Sequence, residues 1–277
     1  MNFLKDSFNK KVEFIIDDSE NGEILLFLPG SFSTPQAWKP INKFLKNKYV
    51  KIFTSMRGYG LTDETRSLED YSLKHQIEIV RVISKELNKD FHIIGHSMGA
   101  LIGLASLFTN EFPIKSIVCF DANPMWLIDK KEYSGILNST IEIAKKFKIA
   151  YDAGKKDASK IIIDFYGGRK TFEKFPEKVK QYCNKTSKSN VLDWMMTINN
   201  DFPKFNQETQ NHAIKNTNAK FIIGNQTNDL VKSCNKELMK LFYKSKLEKI
   251  DKASHFLIST HPNQCAKIID NFFTRAI

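Results

Sequence analysis

Phe91-His92-Ile93-Ile94-Gly95-His96-Ser97-Met98-Gly99-Ala100 joins two apolar runs through the pattern G-x-S-x-G. That pattern alone is weak. Here an apolar strand-like run precedes it, and a run with helical spacing, residues 98–108, follows it. A strand that turns abruptly into a helix holds its central residue in a strained conformation. Small residues two before and two after avoid clashes, so the Ser97 hydroxyl would project at the carboxyl edge of a sheet, with a helix N-terminus behind it. Positive potential and free N–H groups at that helix end suit an oxyanion. Ser97 is therefore the candidate nucleophile.

Short β-type runs alternate with helical patterns on both sides of this stretch. Strands are expected at 24–28 (ILLFL), 50–54, 91–94, 116–120, 221–223 and 247–250. Helices are expected at 38–46, 72–87, 98–108, 231–242 and 262–273, the last opening on Pro262. Such alternation predicts a mostly parallel sheet covered by helices on both faces. The rhythm breaks between residues 125 and 216, where helical patterns recur (141–151, 158–166, 191–198) without a buried strand. Connections inside a compact sheet are usually short, so this interval of roughly 90 residues reads as a helical lid inserted between two strands. The expected division is a core of 1–124 and 217–277 and a cap of 125–216.

The 277 residues carry a formal charge of +11, which points at first to an anionic partner. The make-up of that charge argues against nucleic acid: only 5 of the 42 basic residues are Arg (57, 66, 81, 169, 275), and the lysines are spread along the whole chain. The hydrophobic content, 42%, is too high for a disordered chain. No apolar run approaches the ~18–20 residues of a membrane span. The N-terminus, MNFLKDSFNKK, has charges at Lys5 and Asp6 where a signal peptide needs apolar residues, so a cytoplasmic protein is expected. Cys119, Cys183, Cys234 and Cys265 lie far apart, which predicts isolated thiols rather than disulfides or a metal site. The sequence carries no marker of oligomeric state.

A serine alcohol needs a base. Of the six histidines, His255 lies in Lys252-Ala253-Ser254-His255-Phe256, between the last strand and the last helix, at the same sheet edge as Ser97. The base needs an orienting carboxylate. Asp229, in the loop after Phe221-Ile222-Ile223-Gly224, is the first choice; Asp121, directly after strand 116–120, is the alternative. Both satisfy the chain order Ser, acid, His. The oxyanion hole is expected from the N–H of Met98 and a second N–H in Pro29-Gly30-Ser31-Phe32, with Ser31 first and Phe32 next; Gly30 allows close backbone approach. Phe32, Trp126, Phe165 and Trp194 are candidates for an apolar pocket beneath the cap.

Taken together these residues resemble the α/β-hydrolase superfamily. LPGSFSTPQAW is similar to its oxyanion loop, SMRGYGLT to its D-x-R-G-x-G-x-S turn, GHSMG to its nucleophile elbow and KASHF to the loop of its catalytic histidine. The resemblance covers nearly the whole core. It implies an α/β-hydrolase fold with an eight-stranded, mostly parallel sheet, a helical cap and no cofactor. The triad it carries points to hydrolysis of an ester or related acyl bond through an acyl-enzyme, and the four aromatic residues point to a small, apolar substrate. Thioester or carbon–carbon hydrolysis and acyl transfer fit the same triad, and a non-catalytic ligand sensor in the same shell is a further alternative. Three positions depart from the pattern: Pro29-Gly30 stands for His-Gly, Ser55 for the Asp of the turn, and Thr227 for the acid. Some members place the acid after the preceding strand, where Asp121 sits.

Overall fold

An apolar strand with no polar alternation needs cover on both faces, and β5 (Phe91–His96) is buried at every position. It lies in an eight-stranded sheet with β1 (Asn2–Lys5), β2 (Lys11–Asp17), β3 (Glu23–Leu28), β4 (Tyr49–Thr54), β6 (Ile114–Phe120), β7 (Asn218–Gly224) and β8 (Leu247–Ile250). The order is β1-β2-β4-β3-β5-β6-β7-β8. β1 and β2 join antiparallel, and the remaining strands run parallel. The computed structural model describes residues 2–17, 22–46, 48–198 and 206–274. Register pairs Leu28 with Gly95 and His96 with Phe120, so β3, β5 and β6 end level at one edge of the sheet.

The helices are α1 (Lys39–Asn42), α2 (Lys74–Leu87), α3 (Met98–Thr109), α4 (Ser134–Asp152), α5 (Lys160–Gly167), α6 (Glu177–Lys185), α7 (Ser187–Ile198), α8 (Gln207–Asn216), α9 (Asp229–Leu241), α10 (Leu257–Thr260) and α11 (Pro262–Thr274). Alternate strand residues sort onto two cores. Leu26, Leu28, Ile93 and Ile117 pack with α2, α3, α8 and α9, whereas Leu25, Phe27, Ile94 and Val118 pack with α1, α10 and α11. The expected helix at 38–46 is a 3-10 turn, Pro35–Trp38, followed by the single turn α1. Pro40 has no N–H to return to the preceding turn, so it fits only the first turn of an α-helix.

β1 and β2 lie outside the strands expected above: β1 is short and mostly exposed, and in β2 a buried acid interrupts the apolar pattern. Glu13, 2% exposed in mid-strand, accepts from the Ser55 hydroxyl at 2.5 Å and the Leu61 N–H at 2.8 Å. The carboxylate that Ser55 lacks thus reaches the R-G-Y-G turn from β2. Asp6, in the turn between β1 and β2, pairs with the buried Arg57 of the same loop.

Helices α4, α5 and α7 build a separate cluster around Phe147, Ile162, Val191 and Trp194, joined by Leu230 and Cys234 of α9. A second, smaller cap cluster gathers Ile163 of α5, Phe172, and Cys183 of α6. Helix α8, inside the interval read from sequence as cap, instead packs on α3, with Ala213 buried in the sheet core. The apolar pair Ala213 and Ile214 faces the core, whereas side chains of α5 and α7 lie beside Ser97 at the sheet edge.

Candidate active site

Ser97 sits between β5 and α3 with φ 52° and ψ −119°, a backbone conformation that L-residues rarely adopt. Its N–H donates to the Phe120 carbonyl at 2.9 Å, and its carbonyl accepts from Leu101 N–H at 3.0 Å, so both sides of the turn are tied down. The two glycines are required by contact: a Cβ on Gly95 would lie 2.5 Å from the Ala100 Cα, and one on Gly99 would lie 2.0 Å from the Leu28 carbonyl oxygen.

The loop after β8 brings His255, 3% exposed, to the same edge. Ser97 Oγ lies 2.9 Å from His255 Nε2, and His255 Nδ1 lies 2.9 Å from Asp121 Oδ2. Asp121 is fully buried at the end of β6, with φ 46°. Its Oδ1 accepts the Gly224 N–H at 2.9 Å, and its Oδ2 also accepts the Thr227 hydroxyl at 2.7 Å. With three donors converging on the carboxylate, the proton of His255 sits on Nδ1 and leaves Nε2 free to accept from Ser97.

The first-choice acid, Asp229, is not brought to His255. It opens α9, its side chain is 79% exposed, and Lys232 Nζ is its neighbour at 3.4 Å. The cap of that helix is Asn228, which accepts the Val231 N–H at 3.0 Å. Thr227, standing where the acid was sought, is a donor to the Asp121 carboxylate.

Ser31 and Met98, the expected oxyanion donors, line one cleft with Ser97 and His255. Phe32, Met98, Ile162, Ile163, Trp194 and Phe256 give it an apolar wall. Of the expected aromatics, Phe32 and Trp194 reach the cleft; Phe165 stacks edge-on against Trp194 behind it, and Trp126 packs on the sheet core. Asn123, Tyr166, Asn190 and Asp193, not singled out from the sequence, also line it. Tyr166 stacks on the His255 ring at 4.4 Å, and its hydroxyl accepts from Asn123 Nδ2 at 3.1 Å. Nothing in the sequence marks these residues, since each is one position in an ordinary helix or loop pattern.

Residues 23–262 match the family model described as alpha/beta hydrolase fold. The chain belongs to this family. The α/β-hydrolase assignment accords with two solved structures of similar shape. An epoxide hydrolase of Bacillus megaterium aligns over 99% of this chain and 100% of its own, with TM-score 0.72 at 18% identity. The enol-lactonase of Burkholderia xenovorans LB400 aligns over 99% and 100%, with TM-score 0.74 at 14% identity. At such identities the likeness is one of fold. Among curated proteins, the probable lysophospholipase BODYGUARD 2 of Arabidopsis thaliana is 28% identical over 133 residues, 46% of this chain and 28% of that protein. Epoxide hydrolase 2 of Caenorhabditis elegans is 26% identical over 95 residues, 34% of this chain and 27% of that protein. The matches with these curated relatives thus span under a third of their length.

Within this α/β-hydrolase site, His96 ties the elbow to the histidine loop, donating from Nε2 to the His255 carbonyl at 2.8 Å. Burial, followed by the neighbouring His255, pulls the His96 pKa from 6.5 down to about 3. Between those values the unfolded chain binds a proton that the native chain refuses. The contribution of His96 to stability is therefore complete above pH 6.5 and is lost as the pH falls towards 3. His96→Gln keeps an N–H donor but cannot titrate. Its Tm is expected to drop less than the wild type's between pH 6.5 and about 4.5, and parallel Tm curves would contradict this.

Proposed function

We propose that this protein is a serine hydrolase that cleaves a carboxylic ester or related acyl bond, with Ser97 as nucleophile, His255 as base and Asp121 as the orienting acid. The observation that carries the reading is the chain of two hydrogen bonds, each 2.9 Å, that runs from Ser97, on the wall of an apolar cleft, through His255 to a buried carboxylate. His255 Nε2 takes the Ser97 proton as Oγ attacks the carbonyl carbon. The alkoxide of the tetrahedral intermediate is met by the N–H groups of Met98 and Ser31. His255 then passes the proton to the leaving alcohol, giving the acyl-enzyme, and activates the water that releases the acid.

The names of the relatives, lysophospholipase and enol-lactonase, support an acyl substrate. Epoxide opening of the kind that uses an elbow aspartate is disfavoured by serine at position 97. The cleft favours a neutral, apolar substrate: no Lys or Arg is among the described residues lining it, and its one carboxylate outside the triad, Asp193, is paired with Arg66. An anionic acyl group would lose its hydration there without a cation to replace it. Four free, buried cysteines suit the reducing cytoplasm.

A fluorophosphonate probe is expected to label the protein at Ser97, read by peptide mapping. In a p-nitrophenyl ester series of rising chain length, neutral acyl groups are expected to exceed a matched carboxylate-bearing one by about tenfold or more in kcat/KM. A folded protein that neither labels nor turns over any of these esters favours the ligand-sensing alternative.

A further inference from the structure

We propose that Asp193, on the cap helix α7, holds the oxyanion loop in its working shape through the Ser31 hydroxyl. This rests on the reading in which Ser97 is the nucleophile and the Ser31 N–H meets the oxyanion.

Residues 29–34 belong to no helix or strand, yet they must present an N–H to the reacting carbonyl with ångström accuracy. Phe32, at φ 59°, is in the left-handed region, which a bulky residue keeps only when its surroundings enforce it. Those surroundings come largely from the cap. The Phe32 side chain packs against the sheet core and both cap clusters, and its ring meets Tyr59 edge-on at 6.2 Å. Beside it, Ser31 Oγ donates to Asp193 Oδ2 at 2.5 Å. That is a charge-assisted bond to a buried carboxylate, the strong kind.

Asp193 is itself fixed from the core side. It is 1% exposed and accepts from Tyr59 OH at 2.6 Å and Arg66 Nη1 at 2.5 Å. Arg66 is held in turn by Glu64 at 2.8 Å and the Arg57 carbonyl at 3.1 Å. The carboxylate therefore keeps its place whether or not Ser31 is bonded to it. Among the described partners of the Asp193 carboxylate, Ser31 is the one in the oxyanion loop, and this makes Asp193 a positioning residue that acts through Ser31.

Two single-atom deletions separate positioning from general support. Ser31→Ala removes the donor on the loop and keeps the backbone N–H. Tyr59→Phe removes an equally short donor on the same carboxylate and keeps the ring against Phe32. With p-nitrophenyl butyrate as substrate, Ser31→Ala is expected to lower kcat about tenfold with KM within about twofold. Fluorophosphonate labelling should slow in parallel. Tyr59→Phe is expected to keep kcat within about twofold of wild type while its Tm falls. The proposal is overturned if Ser31→Ala keeps wild-type kcat, if it raises KM alone, or if both variants lose kcat alike. Should Ser97→Ala retain turnover, the nucleophile reading fails instead, whatever Ser31→Ala does.

Discussion

Ser97→Ala is expected to lower kcat by about 10⁵- to 10⁶-fold on any ester that the wild-type protein turns over. Ser97 Oγ is the atom placed 2.9 Å from His255 Nε2, and its loss leaves the base with nothing to activate except water. The oxyanion donors and the cleft survive the change, so a residual rate above the uncatalysed one should persist. Alanine has the same Cβ as serine, so the strained φ of 52° costs no more than before. The Tm should therefore stay close to the wild-type value, and substrate analogues should still bind. Fluorophosphonate labelling should disappear. Turnover that survives the substitution at the wild-type rate would remove the acyl-enzyme mechanism altogether.

The elbow was legible in the sequence because all its determinants are contiguous: strand, Gly95, Ser97, Gly99 and helix follow within a few residues. His255 was legible for a related reason, since a loop between the last strand and the last helix of a parallel sheet must emerge at the edge where Ser97 stands. The carboxylate opposite His255 was not. Asp121 and Asp229 both follow strands that end at that edge, and only the packing of β6 beside β7 distinguishes them. The Asp121 N–H is bonded to the Ile222 carbonyl at 2.8 Å, which turns its side chain towards Gly224, Thr227 and His255. The cluster around Asp193 was still less visible. Ser31, Tyr59 and Arg66 lie more than a hundred residues from it in the chain. Local patterning reports only that Asp193 is one polar position in a helix.

The charge of the chain and the chemistry of the cleft point in different directions. Two of the five arginines, Arg57 and Arg66, are buried in ion pairs that fix loops at the sheet edge. Arg81 is spent on Glu78 and Glu111 at the surface. The +11 balance of the sequence thus contributes no cation to the described wall of the cleft. In the proposed function, substrate is chosen by the α5 and α7 side chains that line the cleft beside Ser97, and the Asp193 contact with Ser31 makes α7 a support for the loop after β3.

Asp121→Asn is expected to cost about 10⁴-fold in kcat, and Asp229→Asn less than about twofold. The larger effect follows from what surrounds the Asp121 carboxylate. Asparagine must put its oxygen at one of two places and its NH₂ at the other. The Oδ1 position faces the Gly224 N–H at 2.9 Å, a backbone donor that cannot change its role. The amide oxygen is therefore forced to that side, and the NH₂ turns to the Oδ2 position, facing Thr227 and His255 Nδ1. Thr227 can rotate its hydroxyl and accept. His255 can adapt only by moving its proton to Nε2, where it can no longer accept from Ser97. The fold survives, because every partner remains hydrogen-bonded, but the base is held in the wrong tautomer. Raising the pH should restore part of the rate in Asp121→Asn, as hydroxide takes over the deprotonation of Ser97. In Asp229→Asn, an exposed side chain beside Lys232 loses only a surface ion pair. Equal losses in the two variants, or a larger loss at Asp229, would return the acid to the loop after β7.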